Sequence, residues 1–261
     1  MDEIMQSAWT TLMALLLAHL LADFPFQSHR LAADKGQSFR LLAWHGILHY
    51  LLAWACLLLF APIGLLSLRN QAIVVAYVAT HMGIDWLKST LQRRHLLANN
   101  TRAFLLDQCL HLMAIFFTAV LLTRSGIHAF YANLEVSPAL RFRILSTAIV
   151  YVAVVFGGGY LIRFIIKSLE KGVLPHRSEQ VENAGLYIGW IERFLVITAI
   201  AMQSPALVGL ILTGKSIARF PEFKETRFAE YFLIGTLLSI SMATLGGILL
   251  LELWYGSISL K

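Results

Sequence analysis

With 261 residues, 58% of them hydrophobic and only 14% charged, the chain is too apolar for a water-soluble domain of its size. Its net charge of +6, from 21 basic against 15 acidic side chains, reads as a signal of membrane topology and lipid-headgroup contact, not of nucleic-acid binding. The two cysteines, Cys56 and Cys109, have no CxxC spacing and read as inert core thiols, not as a disulfide or redox pair.

The acidic start, Met1 to Glu3, has no basic n-region and no small-residue cleavage site, so the first apolar run is expected to be a retained span. Spans are predicted near residues 8–24, 41–66, 71–91, 103–123, 143–166, 184–202, 205–219 and 229–254. The expected fold is all-α, a polytopic transmembrane helical bundle of seven or eight spans. The count turns on 205–219, which is short enough for a re-entrant or interfacial helix. Two regions are expected: a four-helix metal-binding membrane domain over 1–125, and three or four further membrane helices over 126–261. Basic residues crowd the first, third, fifth and seventh connections (Arg30, Lys35 and Arg40; Arg93, Arg94 and Arg102; Lys167, Lys171 and Arg177; Lys224 and Arg227). The second connection has only Arg69 and the sixth has none, whereas the fourth, with Arg124, Arg141 and Arg143, runs against the pattern. The positive-inside rule then puts the odd connections in the cytoplasm and the N-terminus outside.

Each of the first four spans carries two potential metal ligands at i and i+4: His19 and Asp23, His45 and His49, His81 and Asp85, Asp107 and His111. Residues so spaced share one helix face, and ionisable groups inside membrane helices are costly. The expected topology puts all four pairs near the cytoplasmic side, where they can converge. Imidazole with carboxylate suits zinc, manganese or iron and argues against copper(I) and iron–sulfur clusters. Eight ligands are too many for one zinc and about right for a paired centre. The five histidines are expected as direct ligands. Asp23, Asp85 and Asp107 are expected as ligands, as carboxylates orienting a histidine, or, for one of them, as general base. Lys88, one turn beyond Asp85, is a candidate to stabilise an anionic substrate or leaving group, or else a snorkelling interfacial lysine. Gln27 and Gln108 lie near the ligands, and Pro25 should end the first helix just after Asp23. His29, His95, His128 and His176 fall in connections and read as solvated.

In the second half, Glu192 needs a partner, for which Arg193 and Lys215 are candidates, and Arg219 and Glu230 complete the charged set. Gly209 to Ser216, GLILTGKS, satisfies the P-loop expression but lacks a preceding strand and an acidic magnesium ligand, so no nucleotide is expected. Gly157 to Gly159 reads as a close-packing or kink point.

The segments HLLADFPFQ at 19–27, HGILH at 45–49, HMGIDWLK at 81–88 and DQCLH at 107–111 resemble the bacterial membrane proteins grouped as domain of unknown function 3307, over roughly the first 125 residues. IGWIERF, GKSIARF and EYFLIGTLLS are similar to the C-terminal portion of its longer members. The resemblance implies a bacterial inner-membrane protein and supplies no activity. A looser likeness, of membrane-embedded His and Asp clusters, is to membrane-bound metal-dependent hydrolases. The function expected is therefore metal-dependent hydrolysis of a lipid or lipid-linked substrate at the cytoplasmic face, with one or two divalent ions, most simply zinc. The alternatives are a metal-ion or proton-coupled transporter, a di-iron lipid oxidase, and a structural metal site serving a partner protein.

Overall fold

The computed structural model describes residues 3–27, 38–61, 64, 67–123, 137–169, 184–224 and 226–256. Arg30, Lys35, Arg124, Lys171 and Arg177 of the charge count, and His29, His128 and His176, lie outside them. Eight α-helices and no strand occur among the described residues. They are α1 (Glu3–Asp23), α2 (Phe39–Phe60), α3 (Leu68–Arg93) and α4 (Thr101–Thr123), followed by α5, α6 (Ala184–Ala201), α7 (Ala206–Arg219) and α8 (Thr226–Tyr255). Helix α5 runs as Pro138–Val152, passes through a π-helical turn at Ala153–Gly157 and continues as Gly158–Leu169. Phe39–Phe60, Thr101–Thr123, Pro138–Ser168 and Ala229–Tyr255 are long and apolar enough to cross a membrane, and Ser7–Asp23 is a shorter apolar helix.

The helix starts follow capping chemistry. Asn100 Oδ1 accepts a hydrogen bond from Ala103 N at 3.0 Å, and Ser137 Oγ accepts one from Leu140 N at 3.2 Å, satisfying amides that have no partner within the helix. Asn100→Ala is therefore expected to cost about 1 kcal/mol, read as a small fall in the detergent-solubilised protein's thermal midpoint. Helix α1 stops at Asp23, two residues before Pro25, as the sequence requires.

The chain forms two compact units, Met1–Ile149 and Val150–Lys261, the boundary falling inside α5. In the first, α1 packs on α2 and α4, and α3 packs on α2 and α4, which closes a four-helix ring. Its distribution of residues inverts that of a soluble protein. His19, His45, His49, His81 and His111 are fully enclosed, while Trp44, Leu51, Leu59, Phe116 and Phe117 face outward. Lipid is as apolar as leucine, so an outward leucine costs nothing there, whereas the polar groups must find each other inside. The buried stripe of α4 shows the register: Ala103, Asp107, His111, Ile115 and Ala119 recur every fourth residue. Between α2 and α3 the Met82 thioether stands where a Cβ of Gly46 would be, so the absence of a side chain beside His45 lets the two helices close at the level of the ligands.

In the second unit α8 packs on α6 and on the later part of α5, and α6 packs on α7. Val150, Val155, Val196, Ile197, Ala243 and Leu250 form its core. Cys56 is buried and Cys109 exposed, both as free thiols, so Cys109 is a surface and not a core residue.

Candidate metal centre

Helix ends set the depth of the ligands. His19 lies one turn before the end of α1, and His45 and Asp107 each lie six residues into α2 and α4, about 6–9 Å from those ends at 1.5 Å per residue. His81 is twelve residues, about 18 Å, from the end of α3, so α3 runs roughly two turns past the others and carries Lys88 with it. All eight predicted ligands are buried, none more than 7% exposed.

They meet as three overlapping groups of donor atoms: His19, Asp23, His49 and His81; His45, His81 and Asp85; and Asp85, Asp107 and His111, with the donors in each group within 4.8 Å of one another. At the centre, four atoms approach closely. His45 Nε2 is 3.2 Å from His49 Nε2 and 3.3 Å from His81 Nε2. Asp23 Oδ1 is 3.0 Å from His45 Nε2, 3.1 Å from His49 Nε2 and 3.6 Å from His81 Nε2. Donors held 2.0–2.1 Å from a zinc ion in a tetrahedron are separated by about 3.3–3.4 Å, and these five distances bracket that edge length. A neutral imidazole carries one N–H, so the ring nitrogen of His45, facing two other imidazole nitrogens and two carboxylates, has more acceptors around it than protons to give them. A cation enclosed by the four atoms would resolve that conflict.

Asp85 Oδ2 lies 3.4 Å from both His45 Nε2 and His81 Nε2, so its carboxylate joins the central four atoms to the group of Asp107 and His111. Asp107 Oδ2 accepts from Lys88 Nζ at 2.8 Å and from Gln108 Nε2 at 3.2 Å, while its buried Oδ1 has no hydrogen-bond partner and lies 3.9 Å from His111 Nδ1. Both ring nitrogens of His111 and of His19 are likewise buried without hydrogen bonds. Buried polar atoms are nearly always paired, and these unsatisfied atoms of His19, Asp107 and His111 belong to metal-ligand types within the cluster. His19 stands against the far oxygen of Asp23, 3.7 Å away, with its ring 5.1 Å from that of His111.

Lys88 is thus held by Asp107, a partner that reading single helices did not supply, and its side chain is 26% exposed. Residues 11–137 match the family model described as Protein of unknown function (DUF3307). These residues, just under half of the chain, form a region of the DUF3307 family. The matched stretch takes in Thr11 to Asp23 of α1 and all of α2, α3 and α4, so every one of the eight clustered residues falls inside it. No curated protein and no solved structure matches the chain. The charged set of the later helices lies outside the DUF3307 match. There Glu192 pairs with Lys215, while Arg193 donates through Nε and Nη2 to the Val155 carbonyl at 3.0 and 2.7 Å and through Nη1 to Ser239 Oγ at 3.3 Å. The GLILTGKS segment is the interior of α7, where backbone N–H groups serve the helix instead of cradling a phosphate. His95 is exposed in the α3–α4 connection with φ 57°, as a connection residue.

Proposed function

We propose that the DUF3307 unit is a membrane-embedded metal-dependent hydrolase that holds two divalent ions, zinc the best match, near the cytoplasmic face of a bacterial inner membrane. Its substrate class is a lipid or lipid-linked ester. The observation that carries this reading is the junction of two unequal donor sets at one carboxylate: Asp23, His45, His49 and His81 approach one another at tetrahedral edge lengths and make a closed set, while Asp85 and His111 make an open set beside the unsatisfied Asp107 Oδ1. Closed four-ligand sites are structural, and sites with fewer protein ligands keep a position for water.

When bound in the open set, a divalent ion supplies Lewis acidity, acidifying a water and polarising a phosphoryl or carbonyl oxygen. The chain does the rest. Asp107 Oδ1, unsatisfied and buried, takes the proton of the attacking water. Lys88 holds the other oxygen of Asp107 and, partly exposed, faces the negative charge of the ester. The water oxygen bonds to phosphorus or carbon, the ester bond to the lipid-side oxygen breaks, and that oxygen leaves with the proton passed on from Asp107.

Elemental analysis of the untagged, detergent-solubilised protein, paired with release of free alcohol or acid from a total bacterial lipid extract, tests the proposal. The parent is expected to carry about two equivalents of zinc or manganese and to turn over one lipid class. Asp107→Asn is expected to lose roughly 10²- to 10⁴-fold in rate while keeping the ion of the closed set. A metal-free parent, or iron as its sole metal, would overturn the proposal.

The sharing of His81 and Asp85 between neighbouring groups favours a second reading, transport, because overlapping donors form a path along which a cation can be handed on. Zinc flux into proteoliposomes without any hydrolysis would select it.

A further inference from the structure

The second unit holds an open cavity of about 920 Å³, within the range of small-molecule sites, lined by α5, α6, α7 and α8. Its walls are apolar, with Ile162, Leu186 and Leu210 among them, and five glycines also line it. Two of these, Gly185 and Gly214, have nothing within 4 Å of where a Cβ would sit, so they face vacant space, not a packed neighbour.

The charges around this space are one-sided. Among the described residues, Arg163, Lys167, Arg193, Lys215 and Arg219 line it with one carboxylate, Glu192, which pairs with Lys215. Arg163 and Lys167 form an i, i+4 pair in the last turns of α5, and Lys215 and Arg219 form another in the last turns of α7. The lining also draws on the first turns of α6 (Gly185) and α8 (Tyr231), so the basic groups collect at one end of the unit and the apolar wall extends inward from them. Arg193 is engaged by the Val155 carbonyl and Ser239, and Lys215 by Glu192, so Arg163 and Lys167 are the cations this space offers an anion.

We propose that this cavity is a binding site for an anionic phospholipid, the phosphate headgroup held by Arg163 and Lys167 and an acyl chain lying along the glycine-lined wall between α6 and α7. A basic rim complements a phosphate, which guanidinium groups bind in a fork. The apolar interior needs an occupant with a tail, which inorganic phosphate or a soluble phosphate ester does not have. The site is separate from the histidine cluster and does not depend on the function assigned to it.

Native mass spectrometry of the full chain released from nonionic detergent reads this directly, with phosphatidylglycerol, phosphatidylcholine of the same chains, and inorganic phosphate as separate probes. Phosphatidylglycerol is expected to be retained at least tenfold more tightly than phosphatidylcholine. The double variant Arg163→Gln/Lys167→Gln is expected to lose roughly tenfold or more of that affinity, from the loss of two cations near an anionic headgroup. Gly214→Leu, whose Cβ would meet no atom within 4 Å, puts a side chain into the cavity and is expected to abolish retention at an unchanged thermal midpoint. Equal retention of the two lipids, an unchanged affinity in both variants, or displacement of the lipid by millimolar phosphate would each overturn the proposal.

Discussion

Purified without a histidine tag from metal-replete cells, His45→Ala is expected to carry about half the zinc of the parent or less, and to unfold at a markedly lower temperature. His45 is the residue on which the cluster turns. Its Nε2 lies 3.0 Å from Asp23 Oδ1, 3.2 and 3.3 Å from the Nε2 atoms of His49 and His81, and 3.4 Å from Asp85 Oδ2, in a position with no exposure. Taking away one of four tetrahedral donors costs most of a binding energy that reaches about 10–16 kcal/mol for structural zinc. It also leaves Asp23 and Asp85 as buried carboxylates facing each other across a gap, which the membrane interior penalises heavily. Two further variants separate metal loss from general damage. His45→Cys restores a zinc ligand and is expected to recover metal content, while exposed His95→Ala should match the parent in both readings. Full metal content in His45→Ala would sink the tetrahedral assignment.

The cluster was legible because its signal is local. A pair at i and i+4 fixes two side chains on one helix face without knowledge of any other helix, and four such pairs in successive spans leave little freedom but to converge. The positive-inside count, made without the histidines, expected the pairs at one end of their spans, and in the structure the nearer member of three of them lies within about 9 Å of a helix end. The interior of α2 and α4 was harder to read by ordinary means. Both helices are apolar all round, so hydropathy does not distinguish the face toward the bundle from the face toward lipid, and only the ligands mark it. What escaped is non-local. That Lys88 reaches Asp107 depends on α3 running two turns further than its neighbours, which follows from where the α3–α4 connection turns. The Met82 thioether over Gly46 is a contact between helices that no spacing rule encodes. In the second unit the sequence left Glu192 between two partners. The choice of Lys215 became visible only once Arg193 proved to be engaged 38 residues away in sequence, at the π-helical turn of α5. Gly157 to Gly159 marked that place as irregular, but not the reason for it.

That engagement carries the second large expectation: Arg193→Met should destabilise the second unit by about 3 kcal/mol. The guanidinium gives two hydrogen bonds to the Val155 carbonyl and one to Ser239 Oγ from a position 4% exposed. A π-turn breaks the regular i to i+4 ladder of α5, and Arg193 ties the disturbed segment to α6 and α8 at once. The sequence has made room for it. A Cβ on Gly159 would come within 2.8 Å of Nη2, and one on Gly189 within 3.1 Å of Nη1. Methionine fills much of the volume but offers no donor, so the carbonyl and the hydroxyl both lose a hydrogen-bond partner. Lysine keeps the charge and one donor but not the fork, so Arg193→Lys should fall between parent and Met variant. Glu192→Gln supplies the contrast. The Glu192 and Lys215 side chains are 13% and 21% exposed, and a lysine freed of its partner can extend toward the headgroups, so its cost should stay within about 1 kcal/mol. Thermal unfolding of the four proteins in one detergent orders them parent, Glu192→Gln, Arg193→Lys, Arg193→Met. An Arg193→Met protein as stable as Glu192→Gln would mean that the Val155 carbonyl does not need the guanidinium, and that packing of α8 on α6 alone holds the unit.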